Sequence, residues 1–149
     1  MVVTIYLDTC CYGRPYDDQS QFRIVAEAAA IAAIIETCRI AHYCIAGSMA
    51  VTSEIGDIRN AEKRKVVETF FDETINLYFI ITTSEVARAH TLKAEGLGDM
   101  DSLHLAAAES VGADALLTTD DPFIRICARK KLSFVKVINP LNFLPEVIR

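Results

Sequence analysis

No two cysteines of this chain stand at Cys-x-x-Cys spacing, and their number, five, is odd. Cys10 and Cys11 are adjacent, which suits neither a disulfide framework nor a zinc site. The thiols read as reduced cysteines of a cytoplasmic protein that pack as small hydrophobes. No positively charged segment precedes an apolar stretch at the N-terminus, so no signal peptide is expected. No apolar run reaches the roughly 20 residues that span a bilayer. The most apolar window, "VAEAAAIAAII", is too short and is interrupted by Glu27, so it reads as a buried, Ala-rich helix. Positive charge is in deficit too. The formal net charge of −5 disfavours broad, nonspecific binding to nucleic acid. It leaves room for a local basic patch and fits a protein that gathers carboxylates around cations. Internal repeats, low-complexity segments and linkers are absent.

What is there suits one domain, residues 1–149, with 52% apolar residues for its core. A chain of this length buries roughly two-thirds of its surface on folding. Val2 to Leu7 is an unbroken apolar run rich in β-branched residues, the pattern of a strand covered on both faces. The loop "CCYGRPYDDQ" follows, with Gly13 and Pro15 as breakers. Apolar residues at helical spacing predict a helix from Ser20 to about Arg39. Tyr43 to Ala46 reads as a short strand, Met49 to Ile58 as a helix, and about Ala61 to Asp72 as another, with Lys63, Arg64 and Lys65 outward. "LYFIIT" (77–82) is the next strand. Thr82 and Glu85 form a capping box for a helix starting near Ser84. Asp99 is expected to cap a helix through "MDSLHLAAAESV" that Gly112 ends. "ADALLTT" is a strand, and Asp121 before Pro122 predicts the start of a helix that ends in Arg129, Lys130 and Lys131. "SFVKVI" is the last strand and "NPLNFL" a C-terminal turn. Strands and helices alternate, so the expected fold is α/β: a three-layer α/β/α sandwich with a mainly parallel central sheet.

In such sheets ligands bind beyond the carboxyl ends of the strands. The first strand delivers Asp8 there and the fourth delivers Asp120. Glu54 follows the second strand, and Asp101 lies in the first turn of a helix whose N-terminus should face the same edge. Each acid taken singly has a plainer explanation: a strand end for Asp8, the helix dipole for Asp101, a solvated helix face for Glu54. Asp99 and Asp121 read mainly as caps. Four carboxylates at one edge repel one another unless a cation or protons intervene. Hard divalent ions such as Mg2+ and Mn2+ prefer oxygen ligands and assist phosphodiester hydrolysis by lowering the pKa of water and offsetting charge. The combination therefore points to metal-dependent phosphodiester chemistry.

Four stretches in order, "YLDT" (6–9), "SE" (53–54), "DSLHLAAA" (101–108) and "LLTTDDPF" (116–123), resemble the PIN-domain nucleases, and among them the VapC-like toxin ribonucleases. The resemblance covers nearly the whole chain. It implies a PIN-like fold, with Asp8, Glu54, Asp101 and Asp120 as metal-binding acids. It implies that Thr118 supports the site through its hydroxyl and that Thr9 is the small polar residue after the first acid. It also implies an endoribonuclease dependent on Mg2+ or Mn2+ that leaves a 5′-phosphate and a 3′-hydroxyl, an antitoxin partner and a homodimer. The loop after Asp8 is longer than is usual in the family and carries Arg14, Asp17 and Asp18, which points to a side branch.

Arg14 and Thr9 are the candidates for contact with substrate, Arg14 through a phosphate, although a plain turn role beside Pro15 competes for Arg14. His104 shares a helix face with Asp101 and reads as a packing residue or a support for a ligand. Tyr12 and Tyr16 could stack on bases, and loop packing is the plainer reading. The basic runs at 63–65 and 129–131 are solvated helix faces or, if RNA binds, the first places to look. A non-catalytic PIN-like module that binds RNA or protein is the alternative function. A phospho-acceptor signalling domain fits poorly, because its paired acids are missing beside the first strand.

Overall fold

In the computed structural model, which describes the backbone of residues 3–147 and the side chains of residues 3–143, the successive residues Ile5, Tyr6 and Leu7 are each at most 1% exposed. Only a strand covered on both faces buries consecutive side chains. This is β1, Thr4–Leu7; the Val2 at which the expected strand begins lies outside the described residues. β1 is the middle of a five-stranded sheet ordered β3-β2-β1-β4-β5, with every pairing parallel. The other strands are β2 (Cys44–Ser48), β3 (Leu77–Phe79), β4 (Ala115–Leu117) and β5 (Lys136–Ile138). Ile5 pairs with Ile45 on one side and Ala115 on the other, which sets the register of the three central strands.

Parallel neighbours need crossovers, and crossovers are right-handed. Steps outward from β1 to β2 and β3 therefore put their helices on one face. The return from β3 to β4 and the step to β5 put theirs on the other, completing three layers. The first set is α1 (Thr9–Gly13), α2 (Phe22–Ala41), α3 (Met49–Gly56) and α4 (Ala61–Thr74); the second is α5 (Thr83–Ala94), α6 (Asp99–Ser110) and α7 (Asp121–Lys130). A final helix, α8 (Pro140–Val147), packs against α2. Gly47 in β2 permits the close approach of α4: a Cβ there would lie 2.5 Å from two ring carbons of Phe71.

Several local expectations are revised. The segment after Asp8 is not a loop but a single helical turn, α1, followed by a 3-10 turn at Arg14–Tyr16. Gly13 and Pro15 do not break it, because Pro15 stands at the start of the 3-10 turn, where its missing N–H is not needed. The "NPLNFL" segment is the start of α8 rather than a turn. There Asn139 accepts from the Leu141 N–H at 2.9 Å, and Pro140 occupies the first helical position, where it is tolerated. The cap positions shift by one residue at two helices. Gly98, not Asp99, precedes α6. Asp120, not Asp121, caps α7 by accepting from the Phe123 N–H at 3.2 Å. The Thr82–Glu85 capping box of α5 is present as expected.

Candidate metal centre

The carboxyl edge of the sheet is built from short connections. The Asp8 N–H donates to the Leu117 carbonyl at 2.9 Å, so the β1–β4 ladder runs one residue past the strand and holds Asp8 beside Thr118. The Thr118 hydroxyl donates to Asp8 Oδ2 at 2.7 Å and accepts from the Asp120 N–H at 3.1 Å. Asp8 also caps α1, its Oδ1 accepting from the Thr9 N–H at 2.7 Å. The Thr9 hydroxyl then donates to Glu54 Oε1 at 2.6 Å. Glu54 stands in the last turn of α3, a helix that Ser48 starts at the end of β2 by accepting from the Ala50 N–H.

His104 joins these parts. It is fully buried on α6. Its Nε2 lies 2.5 Å from Glu54 Oε1 and 3.3 Å from Asp8 Oδ1, and its Nδ1 lies 2.7 Å from the Tyr6 hydroxyl. Tyr6 in turn shares a 2.7 Å hydrogen bond with Ser48 Oγ. One donor atom from each of Asp8, Glu54 and His104 lies within 4.8 Å of the others.

Electrostatics draw in the two remaining acids. The Asp101 carboxyl is pushed up from 3.8 to about 7, first by burial and then by the charges of Asp8, Asp120 and Glu54, with His104 opposing. Asp101 therefore feels all three other acids, although it stands one turn before His104 on α6. Burial alone would lower the His104 pKa, but the neighbouring Asp8, Glu54 and Asp101 reverse that and raise it. Burial would likewise raise Glu54, yet its bonds from His104 and Thr9 bring it below the usual value. Among the described residues, no lysine or arginine forms an ion pair with any of the four acids. Carboxylates that no lysine or arginine of the described residues neutralises are the oxygen donors that suit a hard divalent ion.

Other candidates are engaged elsewhere. The Arg14 guanidinium bonds to Asp17 at 3.0 Å and to buried Glu27 at 2.9 Å, so it braces the turn. Asp121, expected as a cap, pairs with Arg23. Tyr12 is fully buried and stacks edge-on with Phe70 and Phe71; half-exposed Tyr16 also meets Phe70. Lys63 pairs with Asp17, and Arg64 donates to the Ile58 carbonyl. Lys130 donates to the Glu95 carbonyl. All five cysteines are free, and Cys10 sits beside Thr118 with Sγ 3.6 Å from its hydroxyl.

Sequence reasoning missed Tyr6 and Ser48 as members of this edge. The signal for Tyr6 was present: residues two apart in a strand share a face, so Tyr6 must stand on the same side of β1 as Asp8. For Ser48 the pattern gave only a polar residue closing an apolar strand.

No protein-family model and no curated protein matches the sequence. Two solved structures resemble the chain over nearly its whole length. One is VapBC2 from Rickettsia felis bound to a DNA fragment from their promoter, with a TM-score of 0.55 and 17% identity over 92% of this chain and 98% of that one. The other is VapBC-1 from nontypeable Haemophilus influenzae, with a TM-score of 0.53 and 15% identity over 93% of this chain and 98% of that one. At such identity the likeness concerns the fold. The chain has the PIN-like α/β/α fold that the sequence motifs imply.

Proposed function

We propose that this PIN-like chain is an endoribonuclease dependent on Mg2+ or Mn2+, the toxin of a toxin–antitoxin pair. The observation that carries the reading is the carboxyl edge of the sheet, where Asp101 is pushed up to about 7 by burial and the charges of Asp8, Asp120 and Glu54. Of the cationic side chains among the described residues, His104 alone faces Asp8 and Glu54, and four carboxylates outnumber one imidazole, so packing them together is costly unless a further cation intervenes. A divalent ion gives the arrangement a purpose. Asp8, Glu54, Asp101 and Asp120 would hold it; when bound, it supplies Lewis acidity for attack of water on an RNA phosphodiester.

The chain's own residues have distinct parts in this scheme. Thr118 fixes Asp8 by its hydroxyl bond to Oδ2. Thr9 fixes Glu54 by its hydroxyl bond to Oε1. Asp120 has one oxygen committed to capping α7. No side chain in the site is placed as a covalent nucleophile: Cys10 points to Thr118 and the Thr119 N–H instead. Water is therefore the nucleophile. An antitoxin partner belongs to the same reading, supported by the VapBC structures that share the fold; a homodimer is part of the proposal by the sequence resemblance alone.

The test is cleavage of RNA in the presence of Mg2+ or Mn2+ by the wild-type chain and by Asp8→Asn and Asp101→Asn. Loss of cleavage in both variants is expected. Undiminished cleavage would sink the assignment. Binding of Mn2+ and RNA without any cleavage by the wild type would instead favour a non-catalytic binding module.

A further inference from the structure

One buried polar path at the site is not used by the scheme above. It runs from Ser48 Oγ to the Tyr6 hydroxyl, from there to His104 Nδ1, and from His104 Nε2 to Glu54 and Asp8. Its members come from β2, β1 and α6. It ends on α3 and at the tip of β1, so the path joins β1, β2, α3 and α6.

We infer that His104 is a positioning residue: held by Tyr6 and Ser48, its Nε2–H fixes the carboxylates of Glu54 and Asp8 at the spacing a divalent ion requires. The inference rests on the ribonuclease reading for what the site is used for, but not for the hydrogen-bond geometry.

Three observations carry it. First, Nε2 faces acceptors, Glu54 Oε1 and Asp8 Oδ1, with the Thr9 hydroxyl at 3.5 Å. The Thr9 hydroxyl has its proton directed to Glu54 at 2.6 Å. A bare nitrogen there would meet only oxygen lone pairs, so Nε2 carries the proton. Second, the other nitrogen is also matched. Tyr6 and Ser48 are both hydroxyls that can donate or accept, and Tyr6 is anchored in the central strand with no exposure. The ring of His104 is further held edge-on to Tyr6, with centroids 5.7 Å apart. Burial demands partners for both nitrogens in any case; what goes beyond packing is that Nε2 bridges acids from two different elements. Third, Glu54 needs holding. It has a long side chain at the end of a short helix and remains one-third exposed, with 33% side-chain exposure. Its only side-chain hydrogen-bond partners among the described residues are Thr9 and His104.

The arrangement resembles, in its logic, the outer partners that orient metal ligands, whose removal typically weakens metal binding about 10–100-fold. The direction here is reversed: the imidazole orients the carboxylates.

Two measurements test it. In metal-free protein, 15N-labelled histidine read by long-range 15N–1H correlation should show Nε2 of His104 protonated; a bare Nε2 overturns the inference. The second is calorimetric titration with Mn2+ of wild type, His104→Leu, His104→Gln and Tyr6→Phe, each checked for folding by circular dichroism. His104→Leu should bind Mn2+ about 10–100-fold more weakly. His104→Gln, whose amide N–H reaches the place of Nε2, should recover part of the loss, and Tyr6→Phe should fall between wild type and His104→Leu. Unchanged affinity in His104→Leu, or equal loss in the Gln and Leu variants, overturns the inference. If His104→Leu does not fold, His104→Gln and Tyr6→Phe decide: wild-type affinity in both counts against it. A wild type that binds no Mn2+ overturns the ribonuclease reading, and the histidine spectrum then decides the inference alone.

Discussion

Asp101 carries the electrostatic strain of the metal-free site. Its folded pKa, about 7 against an ordinary 3.8, means that the folded chain binds this proton more tightly than the unfolded chain. Where the native state holds more protons, stability falls as pH rises. This group's contribution is therefore neutral at acid pH and increasingly unfavourable from about pH 4 to about pH 7. The denaturant midpoint in the presence of chelator should show it: the difference between Asp101→Asn and wild type should grow in the mutant's favour across that range. A constant difference would mean that neither burial nor the neighbouring charges raise the Asp101 pKa. Thr118 makes the opposite kind of contribution. Its hydroxyl serves buried Asp8 and the Asp120 N–H at once, so Thr118→Val leaves a buried acceptor without its partner. A loss of about 1–3 kcal/mol in chemical unfolding is expected. Asp8, Asp101 and Asp120 were legible in the sequence because each follows a strand or opens a helix, whereas Glu54 sits in the last turn of α3 and has only a weak local motif. Tyr6 and Ser48 were not legible, because a hydroxyl beside an apolar run reads as strand filler until the partner opposite it is known.

At the scale of elements, the segment from Arg14 to Asp18 is held by charge rather than by apolar packing. Glu27, fully buried on α2, accepts from Arg14, Arg23 and Asn139 at 2.9, 3.1 and 2.7 Å. Arg23 continues to Asp121 and the Thr119 carbonyl, and Arg14 continues to Asp17, which also takes Lys63. One carboxylate thus ties the turn after α1 to α2, to the loop that carries Asp120, and to the start of α8. Removing one partner from a buried ion pair costs about 3–5 kcal/mol. Arg23 is half exposed, with 50% side-chain exposure, so Glu27→Ala should fall near the lower end, about 3 kcal/mol by denaturant unfolding. A loss under 1 kcal/mol would show that the network is ornamental. In the sequence Glu27 served only as the charge that rules out a membrane span. Arg23 stands at helical spacing, but the rest of its role was hidden because its other two partners lie 13 residues before it and 112 after it. The same distance effect explains one local error. Helix and strand identities follow from periodicity within a few residues. Whether Asp120 or Asp121 caps α7 depends on where Arg23 stands across the fold, because Arg23 takes Asp121.

For the whole molecule, the net charge of −5 and four acids that no lysine or arginine of the described residues pairs with would set a condition on the proposed nucleic-acid binding. On the proposed reading, RNA approaching this edge would meet negative charge, and the proposed cation would supply both ligand attraction and stability. Binding to the folded chain alone stabilises it by about 2.7 kcal/mol at a hundredfold excess of ion over its dissociation constant. For a chain of this size each kcal/mol moves the melting temperature about 2–4 °C. Saturating Mn2+ should therefore raise the wild-type melting temperature by about 5–10 °C over the chelated protein. Asp8→Asn should lose most of that rise, because Asp8 is the point at which β1, Thr118 and His104 converge. Asp99→Asn is the control. Asp99 also lies in the first turn of α6, but it is exposed and pairs with Lys93, so it should respond to Mn2+ as the wild type does. An equal rise in Asp8→Asn would locate the ion elsewhere on this acidic surface and would separate the fold from the chemistry proposed for it.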